Sequence, residues 1–462
     1  MRPFAASLLG LACVATFSSA SPLRAADGDL DASFQGGAIR VLWGNDAATA
    51  NELLPLADGR LLVGGTIADP KRWAVAKISS TGALNLDWQV AFTPFGFGND
   101  GAEETGEVYD LWRDPSGASE TTSLLGWVKV TDGINRPALA RLTAAGALDA
   151  TFDGNGLKIV SPAPAGWTNL FVNDGKFLPD GGAVFVGSCK NCPTADVTRV
   201  FVAKLLPSGA LDTGFSGDGW ISLSQSLDAS NYGSAVAIDA NGRIVVACGS
   251  TSGMFSSYFV ARLTATGAFD GSFGGGDGIN DGNIAGGFSR VTDVSTDPSS
   301  GRIAIGLRVN ATYPQGAAVD VLTAAGLDDD TFSGDGHIDL DLEEGSSVDS
   351  VVFQSDGKVL AVGNIDPNGV QTGGFFLARM LKSGALDASF DGNGVKRVEF
   401  DAAANVDDGA LVVRTWGGRL LAAGYAGAGG GDEQAFALVR TENHSIFADG
   451  FERGSAGGWP GF

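Results

Sequence analysis

The chain has 462 residues, of which 69 are glycine and 44% are hydrophobic, and that hydrophobic share is too large for a disordered glycine-rich chain. Its 53 acidic and 30 basic residues give a formal net charge of −23. This charge argues against a nucleic-acid partner and against adsorption to anionic lipid, because both depend on clustered Lys and Arg.

The first predicted element is a secretory signal. Residues 1–20 hold one early Arg, an apolar stretch that ends at Phe17, and small residues before a cleavage point after Ala20. The apolar stretch is shorter than the ~20 residues that span a bilayer. A lipoprotein signal through Cys13 is the alternative, and Gly10 weakens it by standing where a leucine is needed. The sequence therefore predicts export and no membrane segment.

One motif then recurs along the chain. Its last copy is GALDASFDGNG at residues 384–394, and seven copies follow one another at spacings of 54 to 64 residues. Six copies carry an Asp three residues before a Phe, namely Asp31, Asp149, Asp212, Asp270, Asp329 and Asp387 with Phe34, Phe152, Phe215, Phe273, Phe332 and Phe390. A degenerate copy has Asn85 and Trp88 at these places. A period of this length indicates a repeat architecture.

Each copy follows two apolar segments, the second of which ends near a basic residue. These basic residues are Lys77, Arg141, Lys204, Arg262 and Arg379, with Val321 in the corresponding place of the fifth copy. In the unit 347–400, Val, Leu, Ile and Phe runs bounded by Gly, Asp and Asn turns predict strands over 347–353, 358–364, 375–381 and 395–400. Each repeat is thus a four-stranded antiparallel unit.

Seven such units predict an all-β, seven-bladed β-propeller over residues 27–442. The chain begins with a fourth strand at residues 38–43 and ends with strands one to three. The N-terminal strand is therefore expected to complete the C-terminal blade and close the ring. A linear solenoid, the main competing architecture, gives no reason for such matched ends.

In these motifs the sequence resembles the delta-60 repeat family of bacterial propeller repeats, whose pattern is a DGK-apolar strand, then FALARL, then G-x-LD-x-SFG. The resemblance covers residues 27–442. It implies a propeller and no catalytic residues, since the family has no established activity. The C-terminal tail, residues 443–462, resembles an IFxDGFExG tail of exported Gram-negative proteins; the alternative is a frayed terminus. We expect a periplasmic, cell-surface or extracellular location in such a bacterium.

The repeated aspartates are candidates both for calcium ligands and for structural residues. An EF-hand loop starting at Asp391 fails because Val395 and Lys396 stand at its fifth and sixth positions. Weaker calcium sites stay open at Asp277 with Asp281, and among Asp328, Asp330 and Asp335. Six equivalent positions around a ring favour a structural role. In it the Asp pairs with the basic residue or caps a turn, while the Phe fills the space between blades.

Four cysteines occur in the chain, and the first belongs to the signal segment. Cys189 and Cys192 form CKNC and could make a local disulfide in an oxidising compartment. A redox role would need a strand-to-helix context, and zinc would need two further ligands. Cys248 lies in an apolar run.

Catalytic motifs are scarce in this sequence. Two histidines are present, and no G-x-S-x-G, H-E-x-x-H or P-loop motif occurs. Acidic residues that precede the first strands are the best candidates: Asp46, Asp100, Glu103, Glu104, Asp228, Glu343, Glu344, Asp407 and Asp408. The sequence favours a monomeric, non-enzymatic binding or scaffold propeller without a cofactor, its partner a protein or a glycan. The alternative is a secreted carbohydrate-active or lactone-type enzyme with an acidic, metal-assisted site on the central axis.

Overall fold

The computed structural model describes residues 26–43, 46–68, 72–92, 106–114, 120–129, 135–160, 164, 167–190, 198–223, 230–252, 255–282, 288–310, 316–342, 345–365, 374–400, 409–416, 418–427 and 434–443. These residues form 28 β-strands in seven four-stranded antiparallel sheets and no helix. The described part of the chain therefore contains no helix that is long and apolar enough to cross a membrane. The predicted signal peptide and the C-terminal tail beyond Asn443 lie outside the described residues.

The sheets are the blades of a propeller. Blade 1 contains β2 (Ala48–Pro55), β3 (Leu61–Ile67), β4 (Arg72–Ile78) and β5 (Leu84–Phe92). Blade 2 contains β6 (Gly106–Arg113), β7 (Thr122–Lys129), β8 (Asn135–Leu142) and β9 (Leu157–Ile159). Blade 3 contains β10 (Thr168–Phe177), β11 (Ala183–Lys190), β12 (Thr198–Leu205) and β13 (Trp220–Leu223). Blade 4 contains β14 (Ser230–Ile238), β15 (Ile244–Ser252), β16 (Phe255–Leu263) and β17 (Ile279–Asn280).

The remaining blades follow the same order. Blade 5 contains β18 (Phe288–Thr296), β19 (Ile303–Asn310), β20 (Gly316–Leu322) and β21 (His337–Asp339). Blade 6 contains β22 (Ser347–Phe353), β23 (Val359–Ile365), β24 (Gly374–Met380) and β25 (Val395–Val398). Blade 7 contains β26 (Gly409–Trp416), β27 (Arg419–Gly427), β28 (Gln434–Glu442) and, as its fourth strand, β1 (Ala38–Val41).

The ring closes as the sequence predicted. Strand β1 pairs antiparallel with β28, with Ala38 opposite Val439 and Val41 opposite Phe436. The inner strands β2 and β26 are also in contact, so blade 1 lies beside blade 7. The prediction of a seven-bladed propeller closed by its N-terminal strand is therefore confirmed.

The core lies between the blades. Strand β24 is buried at every position from Gly374 to Met380, as expected for a strand covered on both faces by neighbouring blades. Each buried cluster joins adjacent blades; one of them packs Ile305 of blade 5 against Ala247 of blade 4. Full burial of a Val, Leu, Ile or Phe side chain contributes about 1.5–3 kcal/mol, so the contacts between blades dominate stability.

Two predicted details differ from the structure. Strand β1 ends at Val41 and β25 at Val398, two residues before the predicted ends, because an outermost strand has only one neighbour to pair with. In blade 1, the degenerate motif does not form the predicted connection. A short turn, in which Ser79 N–H donates to Ala83 O at 2.8 Å, leads directly into β5, and Trp88 lies inside that strand.

Candidate functional site: the central channel

The repeated Asp, basic residue and Phe form a corner at the connection between the third and fourth strands. In blade 6, Asp387 Oδ1 accepts the Ser389 N–H at 3.1 Å and its hydroxyl at 2.7 Å. Asp387 Oδ2 forms ion pairs with Arg379 Nε at 2.9 Å and Lys358 Nζ at 3.0 Å. The Arg379 guanidinium lies 4.9 Å from the centroid of the fully buried Phe390 ring.

Equivalent ion pairs occur in five other blades: Asp149 with Arg141 at 2.7 Å, Asp212 with Lys204 at 3.0 Å, Asp270 with Arg262 at 2.8 Å, Asp329 with Arg302 at 2.6 Å, and Asp31 with Arg440 at 2.8 Å. The corresponding rings, Phe34, Phe152, Phe215, Phe273 and Phe332, are all buried. Blade 5 has Val321 at the usual basic position, and its cation comes instead from Arg302, which follows the turn between the first two strands. This second basic position was not predicted, although Arg or Lys after the turn glycine recurs in most repeats.

Charge and hydrogen bonding lower the pKa of these carboxylates, whereas burial raises it. Burial raises the pKa of Asp387, but hydrogen bonds from Ser389 and Lys358 and the charge of Arg379 lower it to about 2. The pKa of Asp270 is likewise lowered to about 2, mainly through Ser272 and Arg262. These aspartates are therefore ionised and fixed within the protein, which leaves them unsuited to proton transfer at neutral pH.

The corners of blades 3 to 6 also join each blade to the next one through a backbone hydrogen bond. Asp391, directly after Phe390, has a φ of 48°, and its N–H donates to Asp27 O of blade 7 at 2.8 Å. In blade 5, Ser333 has a φ of 58° and donates to Ser383 O of blade 6 at 2.7 Å. The left-handed backbone turns the N–H outward to the neighbour. The Asp391 carboxylate pairs with Lys396 at 2.9 Å, so it serves this local connection.

The structure places the other predicted residues as follows. Cys189 is buried and disulfide-bonded, and Cys192, the partner predicted for it, lies outside the described residues. Of the acidic residues before the first strands, Asp46 is described and forms an ion pair with Arg72; the other eight lie outside the described residues. Among the described residues, no group of three or more His, Cys, Asp or Glu side chains could hold a metal ion. Calcium binding stays a prediction.

The first strands of all seven blades line a central channel, and each carries a β-bulge at the same position. The bulged residues form what we call the middle ring: Asn51, Tyr109, Asn173, Ser234, Thr292, Asp349 and Leu411. Two residues earlier lies the outer ring: Thr49, Glu107, Phe171, Tyr232, Arg290, Ser347 and Gly409. One residue after the bulge lies the inner ring: Glu52, Asp110, Asp174, Ala235, Asp293, Ser350 and Val412. A bulge changes the direction of nearby side chains, and in all seven inner strands it does so at the same position.

The inner-ring carboxylates tie neighbouring blades together. Asp174 Oδ1 accepts the N–H of Gly175 at 2.7 Å, and its Oδ2 accepts the N–H of Val236 in the next blade at 2.9 Å. Asp110 and Asp293 make the same bridge to Phe177 and Val351, at 2.7 and 2.9 Å. These acids accept hydrogen bonds from backbone N–H groups of a neighbouring inner strand.

Two cations lie beside the inner-ring carboxylates and offset part of their negative charge. Arg414 Nη2 lies 2.5 Å from Glu52 Oε2, and Lys176 Nζ lies 3.8 Å from Asp174 Oδ1 and 3.9 Å from Glu52 Oε2. Burial lowers the pKa of Lys176, but the carboxylates of Asp174, Asp110 and Glu52 outweigh it and raise that pKa above its usual value. Burial raises the pKa of Asp174 to about 6 despite the Lys176 charge. Glu52, Asp174, Lys176 and Arg414 thus form a charge network that connects blades 1, 3 and 7.

The candidate acids predicted from the sequence lie before the first strands, and the charge network within those strands was not predicted. The available signal was an acidic residue at the corresponding place of four predicted first strands, at Glu52, Asp110, Asp174 and Asp293. An ionisable group in the middle of a buried strand requires partners, and the same strand position in four repeats indicates a shared partner geometry.

Two connected cavities occupy the channel. The lower one, of about 860 Å³, extends to Lys176 and Arg414 at the ends of the first strands. The upper one, which we call the mouth cavity, has about 1090 Å³ and is lined by the beginnings of the first strands together with Lys190, Ser257 and Arg308 from the second and third strands. Most middle-ring residues line both cavities.

The outer ring gives the mouth cavity its particular character. Phe171, Tyr232 and Arg290 occupy the same ring position in three consecutive blades. Phe171 is 53% exposed and Tyr232 39% exposed, which is unusual for aromatic side chains in a channel. Tyr232 pairs across its sheet with Gly249, where an added Cβ would meet no atom within 4 Å. Open space therefore adjoins the tyrosine ring.

Asp349 is the middle-ring acid, and it lines both cavities. The Ser347 hydroxyl donates to its Oδ1 at 3.1 Å. Burial raises the pKa of Asp349 to about 7, although Ser347 and the charge of Arg308 act in the opposite direction. A carboxyl with this pKa exchanges a proton readily near neutral pH.

A separate titratable cluster lies between blades 4 and 5, away from the lining of both cavities. The Tyr258 hydroxyl donates to Asp320 Oδ2, and Asp320 Oδ1 lies 2.5 Å from His337 Nδ1. The hydrogen bond to Asp320 raises the pKa of His337 to about 9. Tyr258 is 2% exposed, so this cluster fixes the seam between the two blades.

The ring of antiparallel blades around a channel defines the chain as a seven-bladed β-propeller. Residues 124–152 and 354–390 match a family model described as "Domain of unknown function (DUF5122) beta-propeller". The match supports a bacterial β-propeller repeat family. No curated protein matches the chain.

Several solved structures are similar in fold. Polysaccharide lyase Uly1 is 12% identical, with a TM-score of 0.49 over 86% of this chain and 90% of the lyase. A PL25 ulvan lyase bound to a GlcA–Rha3S unit is 10% identical, with a TM-score of 0.48 over 88% of this chain and 96% of the lyase. An α-L-arabinofuranosidase of Fusarium graminearum is 9% identical, with a TM-score of 0.41 over 89% and 99%. Identities of this size reflect no more than a common architecture.

Proposed function

We propose that this protein is an exported, non-enzymatic binding propeller built from delta-60-like repeats, and that it holds a glycan in the mouth cavity. Export follows from the signal pattern of residues 1–20, and the periplasm, the cell surface and the medium of a Gram-negative bacterium are the compartments it fits. The mature chain acts as a monomer, without nucleic acid or membrane as a partner.

The observation that carries the proposal is the pair of exposed aromatic rings, Phe171 and Tyr232, on adjacent blades inside a cavity of about 1090 Å³. A cavity of this size takes a small oligosaccharide or a comparable ligand. Flat aromatic faces pack against sugar rings, and hydroxyl and amide groups orient them. Asn173, Ser188 and Ser257 supply such groups in the same cavity.

The test is a glycan screen on the mature chain with a double variant, Phe171→Ala with Tyr232→Ala. The matched control is Leu327→Ala with Phe269→Ala, which removes side chains that are 54% and 40% exposed but line neither cavity. We expect the channel variant to lose tenfold or more in affinity, about 1.4 kcal/mol, and the control to bind normally. Equal binding by all three proteins, or no glycan binding by the parent chain, would overturn the proposal.

Asp349 favours the enzymatic alternative as a second candidate. Its carboxyl lines both cavities on the channel axis and has a pKa of about 7, a value suited to general acid or base catalysis. The test is incubation of the mature chain with polysaccharides and lactones, with and without calcium, while chain cleavage or ring opening is followed. Activity that Asp349→Asn abolishes would establish this candidate, whereas binding without turnover would leave the binding function.

A further inference from the structure

Two arginines stand directly opposite each other in the mouth cavity. Arg290 of β18 pairs with Arg308 of β19 in the antiparallel register, and both side chains line the cavity. Residues opposite each other in such a pair project from the same face of the sheet with Cβ atoms about 4.5–5.5 Å apart. The arginine pair therefore presents two guanidinium groups at one place on the channel wall.

Like charges in directly opposed positions destabilise a sheet, and the charge of Arg308 also acts on Asp349. In the other blades the outer-ring residue faces a different partner: Phe171 faces Ser188, and Tyr232 faces Gly249. Only blade 5, among the pairs described, has two cations facing each other. The arrangement is specific to this blade, in contrast to the corners that recur around the ring.

The arginine pair also inverts the local charge of a strongly acidic protein. The mouth cavity is lined by three cations, Lys190, Arg290 and Arg308, and by two acids, Glu107 and Asp349, whereas the whole chain carries a net charge of −23. Glu107 faces the indole of Trp127, with Oε2 3.5 Å from Nε1, and Asp349 lies one ring deeper. The lining of the mouth cavity thus has one more cation than it has acids, and the two arginines are the groups that would contact an anion there.

An aromatic residue occupies the outer-ring position of the blade next to the arginine pair. Tyr232 is the outer-ring residue of blade 4 and Arg290 that of blade 5, so a ring stacked on the tyrosine would bring its substituents toward the arginines. Guanidinium groups bind carboxylate and sulfate with paired hydrogen bonds. The combination of a stacking face with a neighbouring anion clamp matches a sugar that carries an acidic substituent.

We propose that the mouth cavity binds an acidic saccharide, with the carboxylate or sulfate of one sugar residue held between Arg290 and Arg308 and the ring packed against Tyr232. This deepens the proposed glycan-binding function and rests on it. Neutral sugars would use the aromatic faces alone and bind more weakly, because they carry no anionic group to accept hydrogen bonds from the two guanidinium groups.

The experiment measures binding of three probes by calorimetry: oligogalacturonate for carboxylate, a sulfated oligosaccharide, and a neutral oligosaccharide of equal length. The variants are Arg290→Gln and Arg308→Gln. The matched control is Arg60→Gln, which alters an exposed arginine paired with Asp58 outside both cavities. We expect the parent chain to bind at least one acidic probe tenfold or more tightly than the neutral one. Each cavity variant should abolish that preference without weakening neutral binding, and Arg60→Gln should keep it.

Other outcomes distinguish the acidic-saccharide inference from the proposed glycan-binding function. If the arginine variants bind acidic and neutral probes as the parent does, while Phe171→Ala with Tyr232→Ala loses binding, the glycan function stands and the acidic-saccharide inference is wrong. If no probe binds, both are wrong. If inorganic sulfate raises the melting temperature of the parent as much as the sulfated oligosaccharide does, the cavity recognises a free anion and the saccharide assignment is overturned.

Discussion

Removal of one corner charge, by Asp387→Asn, tests the view that the repeated aspartate is structural. The folded protein lowers the pKa of Asp387 from 3.8 to about 2, and each pKa unit corresponds to about 1.4 kcal/mol. The ionised carboxylate therefore contributes about 2 kcal/mol to the free energy of unfolding. Because the pKa is lowered on folding, this contribution is complete above pH 3.8 and is lost as the pH falls toward 2.

The assay is urea denaturation of parent and variant between pH 7 and pH 2.5. At pH 7 Asp387→Asn should be less stable by about 2 kcal/mol. Most of the difference should disappear by pH 2.5, because the carboxylate is then protonated in the unfolded parent and approaches its pKa of about 2 in the folded parent. Asp391→Asn is the control in the same segment, since its carboxylate makes the more exposed pair with Lys396; it should cost less than about 1 kcal/mol. A penalty that does not change with pH, or equal penalties for both variants, would refute the assignment.

Further predictions concern the core, the closing strand and His337. Phe215→Ala should lower the free energy of unfolding by about 3–5 kcal/mol because its ring is fully buried, whereas Phe269→Ala, which alters a 40% exposed ring, should change it by about 0.5 kcal/mol or less; similar losses would contradict the packing described. In the closing strand, Val41→Asp should abolish cooperative unfolding because Val41 is fully buried, and Leu42→Asp should be tolerated because Leu42 is 56% exposed; the opposite result would mean a different strand register. His337 should titrate near pH 9 in an NMR titration, and the stability it confers, complete below pH 6.5, should decline as the pH rises through 9. A His337 midpoint near 6.5 would show that the Asp320 hydrogen bond is absent.

The fold was predictable from the sequence because one motif recurs along the whole chain. Seven copies of one motif define strand number and order, and a fourth strand at the start of the chain, residues 38–41, has a place only in blade 7. The bounds of the strands in the unit 347–400 followed from turn glycines and apolar runs to within two residues. Blade 1 was the exception, because substitution of its corner residues removed the long connection and left a short turn before β5.

The candidate site was far less predictable. Phe171, Tyr232 and Arg290 share one ring only because a bulge shifts every inner strand at the same position, and a bulge in these strands has no sequence signature. The opposition of Arg290 and Arg308 depends on the pairing register of two strands, which sequence spacing alone does not give. The residues of the candidate site differ from blade to blade, so the repeated motif that predicts the fold does not predict them.

Closure by β1 sets the order in which the molecule can assemble. Six blades form from strands that are consecutive in sequence, through hairpins and short connections, whereas blade 7 requires residues 38–41 to find residues 436–439 at the other end of the chain. Contacts between such distant segments form slowly, because the entropy of closing a long loop must be overcome first. Until they form, β28 presents an unpaired edge that another chain could occupy. The last step of folding is therefore also the step most exposed to mispairing between molecules.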